Sequence, residues 1–392
     1  MNASSRLRII VLGYIVRGPL GGLAWHHLQY AMGLADLGHD VWFIEDSEDY
    51  ASCYDPSQQM MGTDPSYGLR FAQLAFDRVG LGDRWAYHDA HAPCWLGPAA
   101  GRALDLCRSA DVMLNVSGVN PVRPWLHDIP VRVMIDTDPA FTQIDFLSNS
   151  DKHQLAEAHN AFFTFGESFG QAGCLIPDDG RCWHPTRQPV SLRAWTVTPG
   201  PTDGLFTTVM LWDTYERREW KGRHFGMKAE EMEKVFDLPR RCGRRFELAM
   251  GGVNAPTDRL LGEGWRLRNP LEVTRDPWTY QEYIRGAKAE FSVAKHGFVS
   301  SASGWFSERS ACYLASGRPV IVQDTGFSRH LPTGEGLLAF TTLDDAIACV
   351  EAVDASYLQH CHAAREIAEQ HFDARTVLSD LLQTAFADTV HP

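Results

Sequence analysis

The sequence predicts an α/β protein with two Rossmann-like, doubly wound parallel-sheet domains that face a cleft. Short apolar, β-branched segments alternate with segments of helical periodicity in the first half of the chain, and the same alternation restarts in the second half. A stretch rich in Pro, Gly, Trp and Arg separates the two halves. Strands that alternate with helices form parallel sheets. The 392 residues also exceed what one hydrophobic core ordinarily holds, so two domains are expected.

The first half is predicted to form one sheet. Residues 8–16 are an apolar run that ends at a Gly/Pro loop, and residues 23–37 follow with apolar side chains at helical spacing. Gly38 is expected to end that helix, because glycine readily adopts the left-handed conformation found after helix C-termini. Further strands are predicted over residues 41–46, 111–118, 131–139 and 163–168, the last being the final strand of the domain and its turn.

The second half repeats this pattern after a connection over residues 169–207. Strands are predicted over 205–212, 246–250, 290–294 and 319–324, with helices around 228–236 and 280–287 and from about Ser307. Residues 357–387 are strongly helical. We therefore expect a first domain over residues 1–190, a second over 191–365, and a terminal helix over 366–392 that crosses back to the first domain.

Composition narrows the classes of partner. The formal net charge of −13 repels phosphate backbones and anionic lipids, and no long basic stretch offsets it. No apolar stretch approaches the ~20 residues that a membrane helix needs. The chain also enters a predicted strand within its first residues, which leaves no room for a signal peptide. These features predict a cytoplasmic protein with no nucleic-acid partner and no integral membrane segment.

The cysteines indicate neither disulfides nor a metal site. Nine cysteines are scattered through the chain without a Cys-x-x-Cys pair. The nearest approach to a metal cluster is Cys174 with Cys182 and His184, which we interpret as reduced thiols beside a loop. The sequence therefore predicts no metal.

A glycine pair followed by two histidines is the first candidate site. In GGLAWHHLQYAMGLADLGHDV, Gly21 and Gly22 stand at the mouth of a helix, where the backbone can approach a ligand and the free amides attract an anion. The same glycines would suit any tight strand-to-helix turn. His26 and His27 follow in the first turns, and either is a candidate general base or positioning group unless both are structural. We expect one to face the cleft and the other to pack against the sheet.

The segment KHGFVSSASGWFSERSACYLASGRPVIVQDTGF, from Lys295 to Phe327, is the second candidate site. A strand ends there in a polar, glycine-containing loop, and a helix follows from about Ser307. This arrangement places several amides and hydroxyls around a diphosphate.

Both segments resemble the family 4 (glycogen synthase-like) glycosyltransferases, which have the GT-B fold. The likeness lies in the glycine pair, the helix and Gly38-His39 before the second strand, and in ASGRPVI. It implies transfer of a sugar from a nucleotide-diphosphate sugar, held by the second domain, to a small-molecule or glycan acceptor held by the first. No cofactor beyond that co-substrate is implied. The residues placed at the donor by the resemblance are Lys295, His296, Ser303, Gly304, Ser307, Glu308, Thr325 and Gly326.

The resemblance also suggests which cations act on the donor phosphate. TVMLWDTYERREWKG is similar in placement to a strand and basic loop in which a Lys and an Arg stabilise the departing phosphate. Lys221 matches the lysine, and Arg217 or Arg218 is its partner. The alternative is that these are ordinary surface cations.

One departure from the family pattern concerns its paired glutamates. Alignment on GRPVI puts Gly304 and Cys312 where the family usually carries Glu-x7-Glu. Glu308, one turn before Cys312, is then the candidate contact to the nucleotide ribose. The alternative is that Glu308 is an acid favoured in the first turn of a helix.

Asp136 and Asp138 end a predicted strand as Asp-x-Asp. This pattern ligates a divalent ion in the other glycosyltransferase fold, GT-A. Here it closes a late strand of the first domain, so we expect the pair to bind acceptor hydroxyls at the cleft edge, with metal binding as the alternative.

Two rival functions fit the same sequence. A sugar-nucleotide 2-epimerase shares the fold and would use no acceptor, and a non-catalytic scaffold would keep the fold without turnover. The nucleotide base, the sugar, the acceptor and the oligomeric state are not specified by these motifs.

Overall fold

The computed structural model describes residues 6–213, 215–252 and 254–390. Its first half contains ten strands: β1 (Arg8–Leu12), β2 (Asp40–Asp46), β3 (Cys53–Asp55), β4 (Met60–Gly62), β5 (Trp85–Asp89), β6 (Cys94–Leu96), β7 (Val112–Val116), β8 (Val131–Asp136), β9 (Ala161–Thr164) and β10 (Trp183–Pro185). Eight of them form one sheet in the order β10-β9-β8-β7-β1-β2-β5-β6, in which only the β5–β6 pair is antiparallel. The other two, β3 and β4, form a separate hairpin.

Five α-helices accompany this first sheet: α1 (Gly21–Asp36), α2 (Ser66–Arg78), α3 (Ala103–Arg108), α4 (Phe141–Ser148) and α5 (Ser150–Glu157). Helix α1 is buried along most of its length, so it lies inside the molecule and not on its surface. Gly38, with φ of 88°, follows its end as predicted.

The described residues of the second half form eight strands: β11 (Phe206–Leu211), β12 (Arg218–Trp220), β13 (Arg223–Phe225), β14 (Phe246–Gly251), β15 (Arg266–Arg268), β16 (Ala289–Ser292), β17 (Val320–Gln323) and β18 (Leu337–Phe340). Six of them form a fully parallel sheet in the order β15-β14-β11-β16-β17-β18. Strands β12 and β13 form an antiparallel hairpin outside it.

The helices of the second half are α6 (Lys228–Met232), α7 (Leu238–Cys242), α8 (Thr257–Gly262), α9 (Pro270–Thr274), α10 (Pro277–Gly286), α11 (His296–Ser300), α12 (Glu308–Ala315), α13 (Leu343–Ala355), α14 (Tyr357–His371) and α15 (Ala374–Val390). Short 3-10 turns cover Ala100–Arg102, Pro124–Leu126, Glu233–Val235 and Phe327–Arg329. The two parallel sheets confirm the predicted fold class. Ligands of such sheets bind beyond the carboxyl ends of the strands.

Two predicted boundaries in the first sheet are wrong. Strand β1 ends at Leu12 because the amides of the next loop, at Ile15, Val16 and Arg17, donate to the buried carboxylate of Glu45 at 2.6–2.8 Å instead of continuing the ladder. The last strand of the sheet is β10, within the stretch interpreted as a connection, and not the segment at 163–168.

The terminal helix lies against the first domain. Gly33 of α1 makes this approach possible, since a Cβ atom there would lie 2.6 Å from Leu378 Cδ1 and 2.7 Å from the Cβ atom of Ala374. The chain just before α15 also pairs with the first domain, because the amide of Val190 donates to the carbonyl of Phe372 at 2.7 Å.

Aromatic side chains join the two halves through their cores. The indole of Trp25, on α1, donates to the carbonyl of Pro277 at the start of α10 at 2.6 Å. The ring of Trp25 also lies 5.1 Å from that of Trp195 and 6.3 Å from that of Trp278. The domains therefore share a packed, hydrogen-bonded contact beside the cleft.

Across the described residues, no helix combines the length and the apolar character needed to cross a membrane.

Truncation of Leu378 tests the packing of the terminal helix. Leu378 is fully buried against α1, so Leu378→Ala should lower the free energy of unfolding by about 2–5 kcal/mol through lost burial and the cavity it leaves. Leu358→Ala on α14 is the matched control, because Leu358 is 76% exposed and its truncation should cost less than about 0.5 kcal/mol. Urea denaturation of both variants measures the difference. Equal losses would contradict the described packing.

Candidate functional site

A cleft of about 990 Å³ lies between the two domains. We call it the interdomain cleft. Its polar and aromatic walls include, from the first domain, Tyr14, His26, Ser117, Thr137 and Asp138, and from the second, Lys228, Asn269, Tyr280, Lys295, Trp305, Ser307, Glu308 and Arg309. The volume is that of a typical small-molecule site.

The amino end of α1 lies at one side of this cleft. Its N-cap residue, Leu20, makes no side-chain hydrogen bond, and no acid stands in the first turn, so the helix end keeps its positive character. Gly22 lines the cleft, as expected of the glycine pair. Gly21 has a further role, because a Cβ atom there would lie 2.3 Å from the carbonyl oxygen of Asp276. The first glycine thus lets α1 contact the second domain.

The two histidines of α1 have different environments. His26 lines the cleft, with Nε2 3.4 Å from Ser117 Oγ, and burial lowers its pKa to about 4, so the ring is neutral at pH 7. His27 is fully buried, and its Nδ1 is 2.9 Å from the carbonyl of Leu23. A Cβ atom on Gly13 would collide with the His27 ring. As expected, one histidine faces the cleft and the other packs against the sheet; His27 is corrected as a cleft residue, because its ring fills the core between α1 and the sheet.

The amino end of α12 forms part of the opposite wall of the cleft. Ser307 is its N-cap, and the Ser307 hydroxyl accepts from the amide of Arg309 at 3.3 Å. Glu308 is the first helical residue and lines the cleft with Ser307. Both predicted residues are therefore at the cleft.

Three cations line the same wall. Arg309 is buried and held by Glu290 at 2.6 Å and by Ser292 at 2.9 Å. Lys228, the first residue of α6, is half-buried. Burial, followed by the charges of Arg309 and Lys295, lowers the pKa of the Lys228 ammonium to about 7. Three cationic side chains and the carboxylate of Glu308 therefore share this wall.

Lys295 bridges the two domains at the cleft. Its Nζ atom is 2.8 Å and 3.0 Å from the two carboxylate oxygens of Asp138, in the first domain, and 2.5 Å from the hydroxyl of Tyr215. Tyr215 also donates to Asp138. Asp138 is therefore at the cleft, as predicted, but it is engaged by Lys295.

The predicted phosphate cations lie elsewhere. Lys221 and Arg217 are exposed, and neither lines the cleft. The reason is that their segment folds into the β12–β13 hairpin, with Lys221 at its turn, and Arg218 there pairs with Asp145 of the first domain at 2.9 Å. Lys221 and Arg217 therefore do not lie at the cleft where the prediction placed them, and Lys228 lines it instead.

Four predicted donor residues do not line the cleft. They make hydrogen bonds or close backbone contacts next to its wall. Ser303 is buried with its hydroxyl on the carbonyl of Phe298 at 3.2 Å, and Thr325 donates to the carbonyl of Trp305 at 2.5 Å. Gly326 donates its amide to Asp324 at 2.8 Å. Gly304 has φ of 76°, and a Cβ atom there would lie 2.7 Å from the amide nitrogen of Ser168. A side chain at position 304 would therefore crowd the backbone of the first domain, and none of these four residues lines the cleft.

The prediction that Asp136 lies at the cleft edge is also corrected by the structure. It is 1% exposed, and its carboxylate accepts from Thr142 at 2.6 Å, from Gln143 at 3.0 Å and from Thr164 at 2.7 Å. Burial raises the pKa of this carboxyl, and the hydrogen bonds oppose that rise. Asp136 therefore organises the end of β8 and does not reach an acceptor or share an ion with Asp138.

His296 follows Lys295 but is not among the residues that line the cleft. Its Nδ1 atom is 2.7 Å from the carboxylate of Glu231, and this hydrogen bond raises the pKa of the imidazole. His296 is therefore engaged by Glu231 and is not among the residues that line the cleft.

Several cleft residues were not found from the sequence. Tyr280 and Trp305 look like ordinary core aromatics in the sequence, and Lys228 looks like an ordinary helix residue. Ser117 had a usable signal, since Ser-Gly follows a buried strand directly. Its φ of 63° is unusual for a residue other than glycine and places the side chain at the carboxyl end of β7.

No protein-family model and no curated protein matches the chain. Solved structures do match it over nearly its full length. An alpha-glucosyltransferase in complex with UDP-glucose and DNA has a TM-score of 0.61 at 10% identity, covering 97% of this chain and 100% of that one. AviGT4, a glycosyltransferase involved in avilamycin A biosynthesis, has a TM-score of 0.56 at 13% identity, covering 98% and 99%. Anabaena Alr3699/HepE in complex with UDP-glucose has a TM-score of 0.55 at 12% identity, covering 97% and 100%. The chain has the GT-B fold of these proteins.

The same comparison contradicts one expectation from composition. The negative net charge predicted no nucleic-acid partner, yet the alpha-glucosyltransferase structures of this fold include complexes with DNA. The exclusion of nucleic acid is therefore wrong as an inference from charge.

Removal of the Asp138 carboxylate tests whether it competes for the cleft cations. Asp138→Asn frees Lys295 from its ion pair, so inorganic pyrophosphate should bind about 3–10-fold more tightly. Asp145→Asn is the matched control, because Asp145 also pairs across the domains, with Arg218, but outside the cleft. Calorimetric titration of both variants measures the affinities. Weaker or unchanged binding in Asp138→Asn would refute the competition.

Proposed function

We propose that this protein is a glycosyltransferase that moves a sugar, most simply a hexose, from a nucleotide-diphosphate sugar to an acceptor hydroxyl. The observation that carries the proposal is the cationic wall of the interdomain cleft. Lys228, Lys295 and Arg309 line that wall beside the amino end of α12, opposite the amino end of α1. A diphosphate is the ligand that such a wall favours.

Lys228 differs from the other two cations of this wall in its ion pairing. Arg309 is paired with Glu290, and Lys295 with Asp138. Within the part of the chain that the structure describes, no carboxylate oxygen lies within 4.0 Å of the Lys228 ammonium. Burial is the main cause of its lowered pKa, the charges of Arg309 and Lys295 lower it further, and Glu308 and Glu290 oppose the shift. A bound diphosphate would give this ammonium a direct ionic partner.

The same geometry suits the departure of a nucleoside diphosphate. As the bond from the sugar to the diphosphate breaks, negative charge grows on the diphosphate oxygens, and fixed cations at Lys228 and Lys295 stabilise it. Glu308 stands beside them with a carboxylate that can accept from ribose hydroxyls. On the facing wall, neutral His26 can accept a hydrogen bond from a sugar or acceptor hydroxyl. Catalysis then consists of positioning and charge stabilisation.

The comparisons favour particular substrates for the first assays. Proteins of this fold bind UDP or UDP-glucose, so UDP-glucose is the donor to try first. DNA is present in the alpha-glucosyltransferase complexes, and AviGT4 takes part in avilamycin A biosynthesis. The acceptor panel should therefore contain duplex DNA as well as small hydroxylated molecules and glycans. Membership of family 4 rests on the resemblance of the two sequence segments and stays a prediction.

Product analysis separates this proposal from its rivals. UDP-glucose with the acceptor panel should give a glycosylated product and UDP, detected by mass spectrometry and NMR. An isomerised donor formed without acceptor would indicate a sugar-nucleotide 2-epimerase. A scaffold would show neither product nor stabilisation, whereas a true ligand at 100-fold over its Kd adds about 2.7 kcal/mol to the free energy of unfolding.

Substitution of Lys228 tests the proposed leaving-group contact. Lys228→Met removes the unpaired cation while keeping most of the side-chain volume, so kcat/KM for the donor should fall about 100-fold or more. Lys221→Met is the matched control, since Lys221 is exposed on the nearby hairpin, and its kcat/KM should stay within about twofold of the unsubstituted protein. The opposite ranking would show that the hairpin lysine is the functional one.

The lowered pKa of Lys228 predicts how donor affinity changes with pH. Below pH 7 the ammonium is charged in the free protein, and binding of the diphosphate raises its pKa. Above pH 7 binding must therefore take up a proton, so the affinity for a UDP-sugar should fall as pH rises, by up to about tenfold per unit. Calorimetry in buffers of different ionisation enthalpy measures the proton uptake. Uptake that persists in Lys228→Met would assign the effect to another group.

A further inference from the structure

Three side chains from separate segments converge beside the cleft. His224 lies on β13, Glu230 on α6, and His296 at the start of α11. One possible ligand atom from each lies within 4.8 Å of the others. His224 Nε2 is 2.8 Å and 3.0 Å from the two carboxylate oxygens of Glu230, and the two imidazole rings are 5.3 Å apart. We call this the His224–Glu230–His296 cluster.

A buried carboxylate behind the cluster orients one of its histidines. Glu231 is fully buried and lies 2.7 Å from His296 Nδ1. Lys234 and Gln323 also donate to Glu231, so this carboxylate is held in place. A proton on Nδ1 that is directed to Glu231 leaves the lone pair on Nε2. Histidines that bind metals are typically supported by such a carboxylate on the second ring nitrogen.

The local backbone leaves room for the cluster. A Cβ atom on Gly226 would lie 1.8 Å from Glu230 Oε1 and 2.6 Å from His224 Nε2, so glycine is needed for these two side chains to approach each other here. The three side chains are 33%, 43% and 25% exposed, respectively. An ion can therefore reach them from solvent.

We propose that the His224–Glu230–His296 cluster binds a divalent transition-metal ion of the Zn²⁺ type. Two imidazole nitrogens and one carboxylate oxygen are a ligand set that Zn²⁺ accepts, with water at the remaining position. The prediction of no metal rested on cysteine spacing and could not detect ligands that are far apart in sequence. The proposal stands apart from sugar transfer, which needs no step at this ion.

The metal would tie together the segments that present two cleft cations. Lys228 is the first residue of α6, which carries Glu230, and Lys295 immediately precedes His296. An ion bound to β13, α6 and α11 would fix the positions of these three segments relative to one another. The ion is thus a structural element of the donor wall and makes no contact with the donor.

Zinc titration of the full chain tests the proposal. After dialysis against a chelator, the protein should bind one Zn²⁺ by calorimetry, and His224→Ala and His296→Ala should each weaken that affinity about 10-fold or more. Glu230→Gln is a conservative third variant that keeps a hydrogen-bonding group beside His224. His362→Ala is the matched control, because His362 and Glu366 form another exposed pair at 3.4 Å, and its affinity should not change.

Two further measurements do not depend on activity. Co²⁺ should give a visible absorption band in the unsubstituted protein that is lost in His224→Ala. Zn²⁺ should also slow amide hydrogen exchange in residues 223–232 and 296–300, and not in His296→Ala. The proposal is overturned if no ion binds, if all four variants bind Zn²⁺ equally, or if His362→Ala weakens binding as much as the cluster variants. Melting curves without metal identify any variant that fails to fold.

Discussion

The close approach of α1 to α10 is the constraint on which the site depends. Gly21 touches the carbonyl of Asp276, and Trp25 donates to Pro277 one turn further along α1. These contacts fix the distance between the two sheets, because any side chain at position 21 would force the domains apart. They hold the amino end of α1 opposite that of α12. The amino end of α1, with its positive character, and the amino end of α12, which carries Glu308, then share one cleft with three cations.

The second domain pairs all but one of its cleft cations with carboxylates. Arg309 forms an ion pair with Glu290, and Lys295 forms one with Asp138. These pairs hold the two cations in position and balance their charges. Lys228 has no such partner among the described residues, and burial, followed by the charges of Arg309 and Lys295, lowers its pKa. In the proposed function the donor diphosphate completes the charge balance. A metal ion at the His224–Glu230–His296 cluster would stabilise the same wall, since the cluster joins the segments that carry Lys228 and Lys295.

The sequence was informative where structure depends on local pattern. Alternating apolar runs predicted the two parallel sheets, and glycine at position 38 predicted the end of α1, because both are set by neighbouring residues. The sequence did not predict features that depend on packing between residues far apart in the chain. It could not distinguish His26 from His27, since the sheet and not the helix determines which ring is buried. It assigned the phosphate contact to Lys221, because the β12–β13 hairpin that carries this lysine out of the cleft is visible only in three dimensions.

The central claim is that the cationic wall binds the diphosphate of a nucleotide sugar. A crystal structure of the protein with UDP-glucose tests it most directly. The account predicts diphosphate oxygens within hydrogen-bond distance of Lys228 Nζ, between the amino end of α12 and Gly22. A nucleotide bound outside the interdomain cleft, or one whose diphosphate leaves Lys228 without contact, would contradict it.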